Sequence, residues 1–303
     1  VNAFAGLGAN ARGAVWMVLG MFAYTANDTV LKLASDDFGL FQIVFFRSLF
    51  LVIGFTAIAR HRNDLRPLSA LADRPLFARI LAELALTTIF MIALPVLAIG
   101  SITAIMQTVP LAITLAAALF LREAVGWRRW AAIVLGFVGV LLVVRPGSND
   151  FSWYSLLMVV AVVLVVLRDL ATRKVDQSLP SVFLALATAV AVAVLGAVVS
   201  LAQGWMMPTI TMMVAVTGSA MFLGLGYTCT ILTMRTGDVS FTAPFRYAVM
   251  VFALAVDVVV FAKLPTVLTV VGCVFIVVAG LSSVVAERRA TRHSPLPLAT
   301  QGR

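Results

Sequence analysis

Apolar runs long enough to cross a bilayer recur from one end of this chain to the other, and they leave it few ways to fold. Crossing ~30 Å of hydrocarbon at 1.5 Å of rise per residue takes ~20 residues. Ten stretches meet that length: 13–33, 40–60, 76–97, 101–122, 128–145, 152–172, 181–202, 211–234, 238–262 and 265–286. Hydrocarbon offers no water, so backbone N–H and C=O groups must bond within the protein. The runs lack the two-residue alternation of a barrel strand, so helices are expected. Composition agrees: 62% of residues are apolar and 12% charged, with a mean hydropathy of +1.07. A soluble domain is nearer half apolar and a quarter charged. The narrowest breaks, at Ile99–Gly100 and Lys263–Pro265, decide between ten spans and nine.

The formal charge of +9 marks topology rather than a nucleic-acid partner. With the first residue inside, cytoplasmic segments hold 16 of the 22 Lys and Arg, and outer ends hold only Lys32, Arg145 and Lys263. Such an excess is the positive-inside signature, and it fits an even number of spans with both termini cytoplasmic. The first span is too long, and too polar at its far end, for a signal peptide. Residues 287–303 form a polar tail expected to be disordered.

Composition also narrows the chemistry. Cys229 and Cys273 fall within spans, so neither a disulfide nor a zinc site is expected, and no cofactor or metal is implied. The two histidines, His61 and His293, lie in a loop and in the tail. That leaves no metal pair or Ser-His chemistry at membrane depth, and no HExxH, GxSxG or P-loop spacing occurs. An enzyme is therefore not expected. A channel or a structural membrane protein is the other class to separate from a carrier.

The ten spans divide into five and five, and the halves echo each other. An offset of 141 residues lays "NDTVLK" (27–32) on "RDLATR" (168–173), matching Asp28 with Asp169 and Lys32 with Arg173. Offsets of 137 and 136 match Gly100 with Gly237 and Gly136 with Gly272. Five spans are an odd number, so a second copy would be threaded in the opposite sense, the architecture of alternating-access carriers. The expected units are 1–147 and 148–286, with 287–303 as the tail.

Three segments carry a family resemblance: "RGAVWMVLGMFAYTANDTVLK" (12–32), "FQIVFFRSLF" (41–50) and "LFLREAVGWRRWAAIVLGFVGVLLVV" (119–144). Together with the ten-span layout they resemble the drug/metabolite transporter superfamily, in particular its EamA-type members and their YddG-like amino-acid exporter branch. Where that family often has Gly-Glu-x-Pro before the last helix, this chain reads "FAKLP", with Lys263 at the acidic position. The resemblance implies an all-α basket of ten helices around a central cavity, with the fifth and tenth outside it. It further implies a bacterial inner-membrane exporter of small metabolites, most commonly amino acids, with riboflavin, S-adenosylmethionine or other amphipathic molecules as alternatives.

Seven charged residues sit well inside spans: Asp28, Glu83, Asp169, Asp257, Arg47, Arg168 and Arg246. Each would cost ~2.5–3.5 kcal/mol facing lipid at a helix centre, so protein or a wet cavity is expected around them. Their depths predict two gates, Asp28 with Arg47 outside and Glu83 with Arg246 inside, and leave a carboxylate over for a proton. Arg168 and Asp169 lie near the cytoplasmic end, where snorkelling is expected, and Lys32 is expected to snorkel outward.

Tyr24, Asp28 and Lys32 repeat every four residues on one helical face, with Asn27 beside them. That stripe predicts a cavity wall. Glu83 with Thr87 and Thr103 with Gln107 make similar pairs, and Tyr227, Phe245, Arg246, Tyr247 and Asp257 complete the expected lining or gates. Ala132 and Gly136 present a small-xxx-small face, which can serve a dimer or pack inside one bundle. The expected partners are a small-molecule substrate and membrane lipid, with the protein a monomer or weak dimer.

Overall fold

The computed structural model describes residues 8–35, 37–120, 126–148, 151–176, 178–236 and 239–293. Arg122, Glu123, Gly237 and residues 294–303 lie outside these. Among the described residues the chain is helical and forms ten rods. They are α1 (Ala9–Ala34), α2 (Leu40–His61), α3 (Arg74–Ala93), a fourth rod made of α4 (Ile99–Met106) and α5 (Val109–Phe120), and α6 (Trp127–Val144). The second half holds α7 (Trp153–Lys174), α8 (Ser181–Gln203) and α9 (Ile210–Thr236). Its ninth rod joins α10 (Val239–Thr242), a 3-10 turn at Ala243–Tyr247 and α11 (Ala248–Val259), and α12 (Val267–His293) is the tenth.

Seven of the described helical segments are long and apolar enough to cross a membrane. Of the other three rods, α1 carries the polar stripe, the ninth is interrupted, and α12 contributes a shorter apolar stretch, Val267–Ser282, among the described residues. The first break falls at 94–98, with Ile99 and Gly100 already in α4, and the second across 260–266, so ten rods stand rather than nine. α12 runs past residue 286 to His293, because its Ala, Glu and Arg residues continue a helix readily.

Local chemistry sets the ends. Asp73 caps α3 by accepting from the Leu76 N–H at 3.1 Å, ahead of Pro75 in the first turn. The fourth rod breaks at Gln107–Thr108, just before Pro110, which has no N–H to give the preceding turn. The ninth breaks around Pro244.

The principal neighbours are α1 with α9, α2 with α8, α3 with α7 and α6 with α12, with α4 lying against α11. Small residues let the backbones close. A Cβ on Gly139 would lie 2.8 Å from the Gly272 carbonyl oxygen, and one on Gly272 would lie 2.7 Å from that of Gly139. Ala132 and Gly136 are buried in the same bundle, Gly136 against Leu111 and Ala279. The small-residue face is thus used internally, which removes it as a dimer surface. Leu31, Ile43, Leu94, Ile105, Met158 and Ile276 form the sealed interior, while Ile53, Val134, Val194, Leu201 and Val251 point outward. Large apolar side chains on the outside suit hydrocarbon as solvent.

Candidate functional site

α1 approaches α9 where Gly226 lacks a side chain: a Cβ there would meet the Tyr24 ring at 2.7 Å. The Tyr24 hydroxyl lies 3.4 Å from Thr230 Oγ1, and its ring meets Tyr227 edge to face at 5.9 Å. About one turn further along α1, Asn27 sits between opposite charges. Its Nδ2 donates to Asp28 Oδ1 at 3.0 Å, and its Oδ1 accepts from Ser219 of α9 at 2.7 Å and from Arg47 Nη1 of α2 at 3.4 Å. Arg47 also reaches Ser219 at 3.4 Å. Among the described residues no direct ion pair joins Asp28 to Arg47; the amide separates them. Asp28, Arg47 and Tyr24 are only half-buried and Tyr227 is exposed, although all lie well inside spans. A charged group at that depth requires an aqueous or protein environment.

The two broken rods meet beside this cluster. Gln107 donates from its amide to the Arg246 carbonyl at 3.4 Å, tying one break to the other. Thr103, a turn earlier, is buried. Arg246 is exposed and lies within electrostatic range of Tyr24. Phe245 is exposed and stacks at a tilt on Phe241, with centroids 5.8 Å apart. Tyr247 is buried with its hydroxyl pressed into the space that Gly280 of α12 leaves open.

A second polar cluster spans α3, α7 and α8. Arg168 pairs with Glu83 at 3.1 Å and with Asp169 at 2.9 Å. Arg79 donates to Thr172 at 3.0 Å and also bonds Thr188. Glu83 therefore pairs with Arg168 and not with Arg246, because α3 packs along α7. By the same packing Arg168 reaches across to Glu83 instead of snorkelling, and Asp169 pairs with Arg168 on its own helix. Thr87 is half-buried one turn above Glu83. A pocket of about 250 Å³ opens nearby, lined by Ile113, Asp169, Leu170 and Thr172.

Two further expectations are corrected at the turn between α3 and α4. Lys32 is 4% exposed and does not snorkel. Its ammonium donates to the Leu94 carbonyl at 2.7 Å and to that of Leu97, and lies 5.4 Å from the Phe261 ring centroid. Asp257 is 2% exposed and lines no wet space. Its carboxylate accepts from Ile99 N at 2.8 Å and Gly100 N at 2.6 Å, capping α4. A helix end buried in a membrane protein needs such partners, and these two ions supply them.

Residues 11–145 match the EamA-like transporter family. The chain is 28% identical to an S-adenosylmethionine uptake transporter of Rickettsia bellii over 92% of this chain and 95% of that protein. A riboflavin transporter of Vibrio cholerae is 25% identical over 78% and 80%. A crystal structure superposes on 93% of this chain and 99% of its own with a TM-score of 0.61 and 18% identity, which shows a shared fold.

Several of these contacts escaped the sequence reading. Ser219 and Thr230 carry no signal beyond lying in a small, glycine-bearing stretch of α9. Arg168 was visible, but only the α3–α7 packing reveals its partner. Arg79 reads as one more cytoplasmic cation until Thr172 and Thr188 appear beside it.

Proposed function

We propose that this membrane transporter carries an amphipathic small molecule across the cytoplasmic membrane by alternating access between two inverted five-helix repeats, 1–147 and 148–286. The observation that carries this reading is the set of helix neighbours. Counting rods, the first lies with the eighth, the second with the seventh, the third with the sixth, the fourth with the ninth and the fifth with the tenth. Exchanging the two halves returns the same set, which is what a two-fold axis in the membrane plane produces. Both rods that break, the fourth and the ninth, are partners under that exchange.

The polar clusters exchange as well. The offset of 141 residues that relates Asp28 to Asp169 also relates Arg47 to Thr188, and both pairs sit in the two clusters. Their states differ. The α3–α7 cluster is closed by the Glu83–Arg168 ion pair, whereas Asp28 and Arg47 are held apart by Asn27. With the basic loops inside, the Glu83–Arg168 pair would stand toward the cytoplasmic end of the path, and Asp28 and Arg47 toward the outer end. Tyr24, Asn27, Asp28, Arg47, Gln107, Tyr227, Phe245 and Arg246 would line the path, and Glu83, Thr87 and Arg168 would guard its inner end. Thr103 and Tyr247 would support the breaks.

The relatives' names favour uptake of S-adenosylmethionine or riboflavin over the amino-acid export expected at first. Counterflow tests the carrier reading. Proteoliposomes preloaded with unlabelled S-adenosylmethionine or riboflavin should transiently accumulate the labelled compound above its equilibrium level. A channel gives no overshoot, and its absence with both compounds would remove the proposal.

A further inference from the structure

We infer that the space between α1, α2 and α9 receives the zwitterionic head of an α-amino acid carried by a larger substrate, Asp28 taking the ammonium and Arg47 the carboxylate. The inference rests on the transport reading above and narrows its cargo. Its first support is that these two opposite charges do not neutralise each other. Asn27 stands between them, held in place by Ser219 at 2.7 Å. The amide offers its oxygen to Arg47 and its nitrogen to Asp28, so each charge is oriented and neither is quenched.

Unused bonding capacity is the second support. Among the described residues Arg47 donates only through Nη1, in two bonds of 3.4 Å, and its Nε is buried with no partner. No bond from its Nη2 is present among the described residues either. Among the described residues Asp28 accepts a single bond, from Asn27, and its Oδ2 accepts none. A guanidinium has five donors and a carboxylate about four acceptor sites. Leaving most of them unfilled inside a span is costly unless another polar group arrives. The missing groups are one carboxylate, which suits the planar fork of Arg47, and one cation with N–H donors, which suits Asp28. An α-amino acid presents both on adjacent atoms.

The Tyr24–Tyr227 pair sits about one helical turn along α1 from Asp28, with Tyr24 half-buried and Tyr227 exposed. It would hold a flat ring or a cationic centre attached to that head. S-adenosylmethionine has an amino-acid head, a sulfonium and a purine. Riboflavin has the ring and no such head. The same residues therefore favour the first of the two named cargoes.

Counterflow of labelled S-adenosylmethionine, and separately of labelled riboflavin, by the purified full chain tests this with three competitors. S-adenosylhomocysteine keeps the head, while 5′-methylthioadenosine keeps the nucleoside and sulfur without it, and riboflavin is the third. Head-bearing compounds should compete at ~10-fold lower concentration than 5′-methylthioadenosine, the size expected for one charge-assisted contact. In Asp28→Asn and Arg47→Gln that preference should fall to within ~3-fold, with Arg47→Lys intermediate. Asn27→Ala, which keeps both charges but lets them close on each other, should also lose the preference. Variants are scored only when monodisperse by size exclusion, and Asn27→Ala stands in if a charge variant fails to fold. Equal competition by 5′-methylthioadenosine, or counterflow of riboflavin alone, overturns the head-group site while leaving transport intact. Counterflow of neither compound overturns the transport reading with it.

Discussion

Lys32 and Asp257 grip opposite sides of one break in the chain. The lysine accounts for the carbonyls of Leu94 and Leu97 at the end of the third rod, and the aspartate for the N–H groups of Ile99 and Gly100 at the start of the fourth. Each ion stands at the pole of the helix dipole that attracts it. The turn at 94–98 thus holds the first, third, fourth and ninth rods together.

Asp257→Ala should destabilise the protein by about 1–3 kcal/mol, since it strands two buried N–H groups. Asp257→Asn keeps an acceptor and should lose less. A Cβ on Gly100 would lie 2.9 Å from Asp257 Oδ2 and 2.7 Å from Leu254, so Gly100→Ala should expel the carboxylate. The double variant should then be no worse than either single one by much, which unfolding in mixed detergent micelles measures. Additive losses would mean that the cap is not what Gly100 protects.

The crossing of α6 and α12 depends on two bare backbones. Gly139→Leu or Gly272→Leu should prevent folding or cost more than about 3 kcal/mol, because the added atoms fall on a carbonyl of the other helix. Gly224→Ala is the contrasting case. Nothing lies within 4 Å of its position. In mid-helix, that change should be neutral or stabilising by up to ~1 kcal/mol, read from the same unfolding curves.

Glu83→Gln and Arg168→Gln should each slow counterflow, while the exchanged pair Glu83→Arg with Arg168→Glu recovers part of it. With both side chains about a quarter exposed, the coupling should be on the order of 1 kcal/mol. Rates that are unchanged in both single variants would remove the ion pair from the transport cycle.

Gly280→Ala should impair transport more than Tyr247→Phe. The alanine methyl would occupy the place of the tyrosine hydroxyl, forcing the 3-10 turn at Ala243–Tyr247 away from α12. Removing the hydroxyl instead relaxes that contact. Comparing initial rates and maximum accumulation of the two variants decides it.

Topology is open to labelling, since Cys229 and Cys273 are both buried and give low background. Ser148→Cys should react with an impermeant maleimide on intact cells, and Asn63→Cys only after permeabilisation. The reverse pattern would invert the orientation taken from the basic loops.

The ten rods, their approximate limits and the membrane as solvent were legible in the sequence, because span length and apolar content follow from hydrocarbon thickness and backbone hydrogen bonding alone. The polar stripe on α1 was legible too, as a period of four. Asp28 and Arg47 were expected to meet directly, and Glu83 was matched with Arg246 by depth. Depth fixes only a height in the membrane. Which rod stands beside which is a matter of azimuth and packing, and that is where those two pairings went astray.

Sequence by itself therefore determined that this chain is a bundle of helices in lipid with ions on its inner faces, since no other arrangement satisfies so many buried backbone groups. Tertiary structure alone decided which ions touch: that α3 lies along α7, giving Glu83 to Arg168, and that the third rod stops where Lys32 and Asp257 can cap the turn. A charge inside a membrane must find a partner, and the close approach of particular helices at particular small residues selects it.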